Sequence, residues 1–224
     1  MLLCLYYVFN KLIKRGDTVE KMLITFILFL TYSFFGWINE TILTSITNRK
    51  LNNRGFVLGP YCLVYGIAAV LMLNFLKFVE DNIFYQFLSS MIIATIVEYI
   101  VSLVLEKLFD ARWWDYSHIK FNLNGRVCLG YSIIFGFVGV IAYKLNPYLY
   151  NLCKIIITNK LFLTMQLIIF LLFIIDFIIS SYLINTLDLS QVENKKDSNS
   201  YIAHEVNKYI FNKLKIIKNK IAIF

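Results

Sequence analysis

The sequence predicts an all-α fold, a polytopic membrane helix bundle of about five transmembrane helices followed by a C-terminal amphipathic helix. Three observations predict it. Hydrophobic residues make up 59% of the 224-residue chain and charged residues 16%, against usual values near 45–50% and about 25% in soluble domains. The excess collects in five runs, at about 22–47, 57–79, 83–108, 127–147 and 160–184. Each is about 20 residues or longer, the length a helix needs to cross ~30 Å of hydrocarbon. The alternating segments of outer-membrane barrels are absent from the chain.

The flanks read differently. Residues 1–21 form an N-terminal interfacial segment. Its apolar stretch Met1–Asn10 is too short to span, and Lys11, Lys14 and Arg15 follow it rather than precede it, so no cleavable signal peptide is expected. Residues 22–184 form the transmembrane domain, and 185–199 a polar, flexible linker. Residues 200–224 read as a basic amphipathic helix. Ile202, Val206, Ile210, Leu214, Ile217 and Ile221 recur at three or four residues, with five lysines between them. Such a helix suits anionic lipid at a membrane face, or docking against the protein's own loops or a second subunit. The net charge of +8 lies largely in the two tails and reads as attraction to anionic lipid, not to nucleic acid. Cys4, Cys62, Cys128 and Cys153 are scattered singly and His118 is isolated. No zinc spacing results, and no metal or cofactor is expected.

Five spans place the loop at 48–56, the loop at 107–126 and the C-terminal tail on one side. That side carries fourteen of the 22 Lys and Arg residues and the other side eight. The positive-inside rule makes it cytoplasmic, although the basic N-terminus argues the other way.

Polar residues inside the runs mark a candidate site. Ser90, Ala94, Glu98, Ser102 and Glu106 recur every four residues, so they share one helix face, which must meet protein because lipid offers no hydrogen bonds. Cys128, Ser132, Gly136 and Gly139 give the fourth span a small-residue stripe for close helix approach. A carboxylate at mid-span costs roughly 2.5–3.5 kcal/mol on insertion scales and is by default a functional-site hypothesis. Glu40 and Glu98 each lie eight residues before a loop on the same side, or ~12 Å of helix, and Asp176 lies at a comparable depth. Pinning the helices by hydrogen bonds is the alternative role.

The loops carry denser motifs: Phe35-Gly36-Trp37-Ile38-Asn39-Glu40, Asn53-Arg54-Gly55-Phe56-Val57-Leu58-Gly59-Pro60, Glu98-Tyr99, Leu105-Glu106-Lys107-Leu108-Phe109, Ala111-Arg112-Trp113-Trp114-Asp115-Tyr116-Ser117 and Asn122-Leu123-Asn124-Gly125-Arg126. Pro60 suits the first turn of a helix and Asn124-Gly125 a tight turn. Trp113, Trp114, Tyr116 and Phe121 suit the headgroup layer, while Arg112, Asp115 and Arg126 among them suit a site for a lipid phosphate or carboxylate.

In order and spacing these motifs resemble the bacterial family called "putative ABC-transporter permease, type IV", over about residues 25–147. The fifth span and the tail, including Asp176, fall outside the resemblance. It implies a multi-pass protein of the bacterial plasma membrane, and a transport role with a separate ATPase subunit. It places Trp37, Glu40, Arg54, Glu98, Glu106, Trp113, Trp114, Asp115, Tyr116, Asn124 and Arg126 on family motif positions; with Arg112 these are the ligand and translocation candidates. The Glu-Ala-Ala coupling loop of ABC import permeases is absent from the sequence, as are a P-loop GxxxxGK[ST] and any hydrolase motif. No catalytic residue is therefore assigned. Two other readings stand beside a transporter permease component: a membrane-embedded enzyme acting on a lipid-linked substrate, with Glu40, Glu98 and Asp115 as acid/base groups, and a non-catalytic membrane subunit or regulator. A five-span chain is small for a complete pathway, so a homodimer is expected.

Overall fold

The computed structural model describes residues 17–49, 57–79, 82–158 and 160–186, together with Glu205, Lys208 and Tyr209. The elements are α1 (Asp17–Asn48), α2 (Leu63–Leu76), α3 (Ile83–Phe109), a two-residue hairpin of β1 (Asn122–Leu123) and β2 (Val127–Cys128), α4 (Leu129–Thr158) and α5 (Lys160–Asn185). Four helices are long and apolar enough to cross a membrane: α1, α3, α4 and α5.

Contacts fix the directions. Leu23 and Ile24 cluster with Cys153 and Ile157, while Tyr32 Oη donates to the Ala142 carbonyl at 3.2 Å, so α1 and α4 are antiparallel. Thr95 Oγ1 donates to Ser132 Oγ at 2.7 Å and Ser90 abuts Gly139, so α3 and α4 are antiparallel too. A Cβ on Gly139 would lie 2.4 Å from Ser90 Cβ; only glycine lets these helices approach so closely. Between α1 and α5 the numbers rise together: Gln166 Nε2 donates to the Leu23 carbonyl at 3.1 Å, Phe26 meets Phe170 edge-on at 5.0 Å, and Phe29 meets Phe173 at 5.9 Å. The C-terminal ends of α1, α3 and α5 therefore share one end of the bundle. There Phe109, Ala111, Trp113, Leu183 and Ile184 form an apolar cluster, joined by Leu58 and Tyr209.

Helix α3 shows how the sequence sets a membrane helix. Asn82 caps its N-terminus, its Oδ1 accepting the Phe84 and Tyr85 N–H groups at 2.9 and 3.2 Å. Asp110, with φ 49°, closes its C-terminus in the left-handed conformation. Ser90, Ala94, Glu98 and Ser102 are buried, while Ile92, Ile96, Ile100 and Val104, two positions on, are exposed. The polar row faces protein and the apolar row faces outward, the arrangement a lipid surround demands.

Two elements depart from the expected runs. The second run becomes a helix only at Leu63. The 14 residues of α2 span about 21 Å, too little to cross alone, and residues 57–62 are non-helical. Pro60 thus lies ahead of the helix, whose N-cap is Cys62. The reason is that the backbone is satisfied from outside: Asp176 and Ser180 accept the Leu58 N–H, Asp176 accepts the Gly59 N–H, and the Ser33 carbonyl accepts the Cys62 N–H at 2.9 Å. The fourth run, expected to end at 147, continues as helix through Pro147 to Thr158. A mid-helix proline costs about 3 kcal/mol. Burial of Cys153 and Ile157 against α1 offsets it, at roughly 1.5–3 kcal/mol for a large apolar side chain.

The N-terminal segment 1–16, Arg54 and its loop 50–56, and the linker 187–199 lie outside the described residues. So does the C-terminal helix, except Glu205, Lys208 and Tyr209.

Candidate functional site

The site has two storeys, one inside the bundle and one at its end. Inside, Tyr65 Oη from α2 donates to Glu40 Oε1 on α1 at 2.5 Å, and Tyr116 Oη from the 110–121 loop donates to Glu98 Oε1 on α3 at 3.1 Å. Glu40, Glu98 and Tyr116 lie within electrostatic reach of one another. Glu98 is 7% exposed, and its Oε2 has no hydrogen-bond partner among the described residues. The Glu98 carboxylate takes its hydrogen bond from a neutral phenol. The similar depth expected for Glu40 and Glu98 thus brings them together. Asp176 does not join them; it turns to the backbone of Leu58 and Gly59.

Tyr116 reaches Glu98 because its loop is locked. Its N–H donates to the Gly125 carbonyl at 2.7 Å, and its ring stacks on Tyr131 with centroids 5.0 Å apart. Asn124 and Gly125, with φ 55° and 67°, make the tight turn that the Asn-Gly pair predicts, closed by the Arg126 N–H to the Leu123 carbonyl at 3.0 Å. Any side chain at Gly125 would strike Asp115, whose Oδ1 lies 2.4 Å from the Cβ position. Burial, then the nearby carboxylates, push the Tyr116 phenol well above its usual range, so it stays a donor.

At the bundle end, Glu106 joins two arginines: Arg126 at 2.5 Å and Arg112 at 3.5 Å. Arg126 also donates to Ser102 Oγ at 3.0 Å and lies 5.9 Å from the Tyr99 ring centroid. Arg112 meets Asp115 at 3.5 Å and the Asn124 carbonyl at 3.3 Å, while Asn124 Nδ2 donates to Tyr99 Oη at 2.9 Å. Trp114 Nε1 donates to the Arg126 carbonyl at 2.8 Å. Burial alone would raise the Asp115 carboxyl; hydrogen bonds from the Ser117 N–H and hydroxyl, with the Arg112 charge, outweigh it and hold the group below its ordinary value. Among the described residues no group of three His, Cys, Asp or Glu side chains comes together to hold a metal ion.

Several candidates sit elsewhere than their residue types suggest. Trp113 is 2% exposed and packs in the apolar cluster with Phe109 and Leu183, not in a headgroup layer. Trp114 and Tyr116 are half-buried and turned inward by their hydrogen bonds, which leaves Phe121, at 80% exposure, as the aromatic of that group free to meet lipid. Trp37 stacks on Phe34 at 6.0 Å. Tyr65, on α2 at the depth of Glu40, and Tyr99, on α3 beside Asn124, tie the two storeys to these helices. Tyrosine is common at membrane interfaces, so residue type alone gives no signal; the position of Tyr65 at the depth of Glu40 does.

Four long apolar helices, a fifth short one and a buried polar layer define a multi-pass helical membrane protein. A family model described as "Putative ABC-transporter type IV" matches residues 27–181, well over half of the chain, and the protein belongs to that family. The match runs through most of α5 and includes Asp176, which the motif resemblance left outside. No curated protein and no solved structure matches the chain.

Proposed function

We propose that the chain is the membrane-spanning component of a transport system, with the Glu40–Tyr65–Tyr116–Glu98 cluster as the contact point for the transported species. The Arg112–Glu106–Arg126 face forms the vestibule above it. The observation that carries this reading is the Glu98 carboxylate, buried at mid-helix with one oxygen unpartnered among the described residues. A residue serving assembly alone gains by having both oxygens satisfied. Tyr116, held by the loop and bonded to Glu98, couples the vestibule to the interior.

The same reading assigns ATP hydrolysis to a separate subunit, places the loop end and C-terminus at the cytoplasmic face of the bacterial cell membrane, and makes the working unit a homodimer. Glu98→Gln keeps shape and one acceptor but removes the charge. It is expected to abolish function in a strain lacking the native gene while the protein accumulates normally; full function would contradict the reading. Co-purification in mild detergent with mass spectrometry tests the partner. An ATPase subunit in the complex supports it, and a preparation of this chain with lipid alone counts against it.

A further inference from the structure

Residues 57–62 are non-helical backbone inside an apolar bundle, where each unsatisfied polar group costs several kcal/mol. The segment survives because α5 supplies acceptors. Asp176 Oδ1 accepts the Leu58 N–H at 3.2 Å and Oδ2 the Gly59 N–H at 2.9 Å. Ser180 Oγ accepts the Leu58 N–H at 2.9 Å and donates to Asp176 Oδ1 at 3.1 Å. Gly59 is an independent part of the same fit: a Cβ there would lie 2.8 Å from Asp176 Oδ2 and 2.5 Å from the Tyr61 ring. Beyond Gly59 the path to the polar cluster is short. The Tyr61 N–H bonds the Gly59 carbonyl at 2.8 Å, the Cys62 N–H bonds Ser33 on α1, the Tyr65 N–H bonds the Cys62 carbonyl at 3.1 Å, and Tyr65 Oη meets Glu40.

We infer that Asp176 is the positioning residue of the polar cluster: with Ser180 it latches the broken lead-in of α2 to α5 and so sets Tyr65 against Glu40. The inference rests on the transport reading only for its use. In that setting, release of the latch would free 57–62 to move and withdraw Tyr65 from Glu40, and broken helices are where membrane transporters open and close around a site. The latch itself is a statement about structure and is tested without transport.

Cys62, an unbridged and half-buried thiol at the end of the latched segment, reports on it. Cys153, buried between α1 and α4, reports on the rest of the bundle. The full chain in its native membrane is treated with a water-soluble maleimide, and both sites are followed by peptide mass mapping. Asp176→Asn and Gly59→Ala are each expected to raise Cys62 labelling about tenfold or more, the factor that follows from losing hydrogen bonds to a charged acceptor, with Cys153 unchanged. Should Asp176→Asn fail to accumulate, Ser180→Ala takes its place, with a smaller rise expected at Cys62. Unchanged Cys62 labelling in either variant of the tested pair overturns the latch, as does a parallel rise at Cys153, which reports general loosening. Loss of function in Glu98→Gln with normal Cys62 labelling separates the cluster's role from the latch.

Discussion

Glu98 and Glu106 sit two turns apart on α3 and have opposite company. Glu106, at the bundle end, is gripped by Arg126 and Arg112. Glu98, inside, meets the Tyr116 hydroxyl, with Glu40 and its Tyr65 nearby. Cations gathered around Glu106 make a framework, because each charge is answered. The neutral Tyr116 hydroxyl orients the Glu98 carboxylate without answering its charge, which leaves that group able to respond to a cation, a proton or a ligand. The end of the bundle holds its shape and the interior stays chemically available.

The largest effect that tests this contrast belongs to Arg126. Arg126→Ala leaves Glu106 with Arg112 alone, at 3.5 Å, and removes the Ser102 and Tyr99 contacts. It is expected to cost about 2–3 kcal/mol, seen as a lowered thermal midpoint in detergent, with Arg126→Lys recovering only part because lysine lacks the planar fork. A midpoint unchanged in Arg126→Ala would dissolve the framework side of the comparison. Tyr116→Phe comes next. It deletes the donor to Glu98 while the Gly125 and Tyr131 contacts hold the ring, for about 1 kcal/mol, and transport should fall further than stability does. The smallest effect is electrostatic. The Asp115 carboxyl is depressed relative to its ordinary 3.8, so its contribution is fully present above that value and is lost as pH falls through the lower folded value. The protection of the Ser117 amide, its exchange rate relative to the intrinsic rate at each pH, should hold at neutral pH and fall only under acid; in Asp115→Asn it should be low throughout.

Much of this was legible in the residues. Four-residue spacing from Ser90 to Ser102 put a polar row on one face, and that row is buried. The Asn-Gly pair called for a turn with positive φ, and both residues have it. The break before α2 was missed because Pro60 also suits the first turn of a helix, and the acceptors that hold the segment open, Asp176 and Ser180, lie more than a hundred residues away. Trp113 misled for a related reason. An indole suits both an interface and a core, and only the approach of Leu183 and Ile184 decides between them. The length of α4 escaped because Pro147 reads locally as a stop, whereas the packing of Cys153 and Ile157 that overrides it is tertiary.

The interior side of the comparison has its most direct test in Glu98→Gln, scored twice on one preparation. The amide keeps an acceptor for Tyr116 and strands no cation among the described residues, so the thermal midpoint should correspond to a change below about 1 kcal/mol, while complementation of the missing gene is lost. A variant that is normally stable and fully functional would contradict the account, because the charge of Glu98 would then serve neither the fold nor the function.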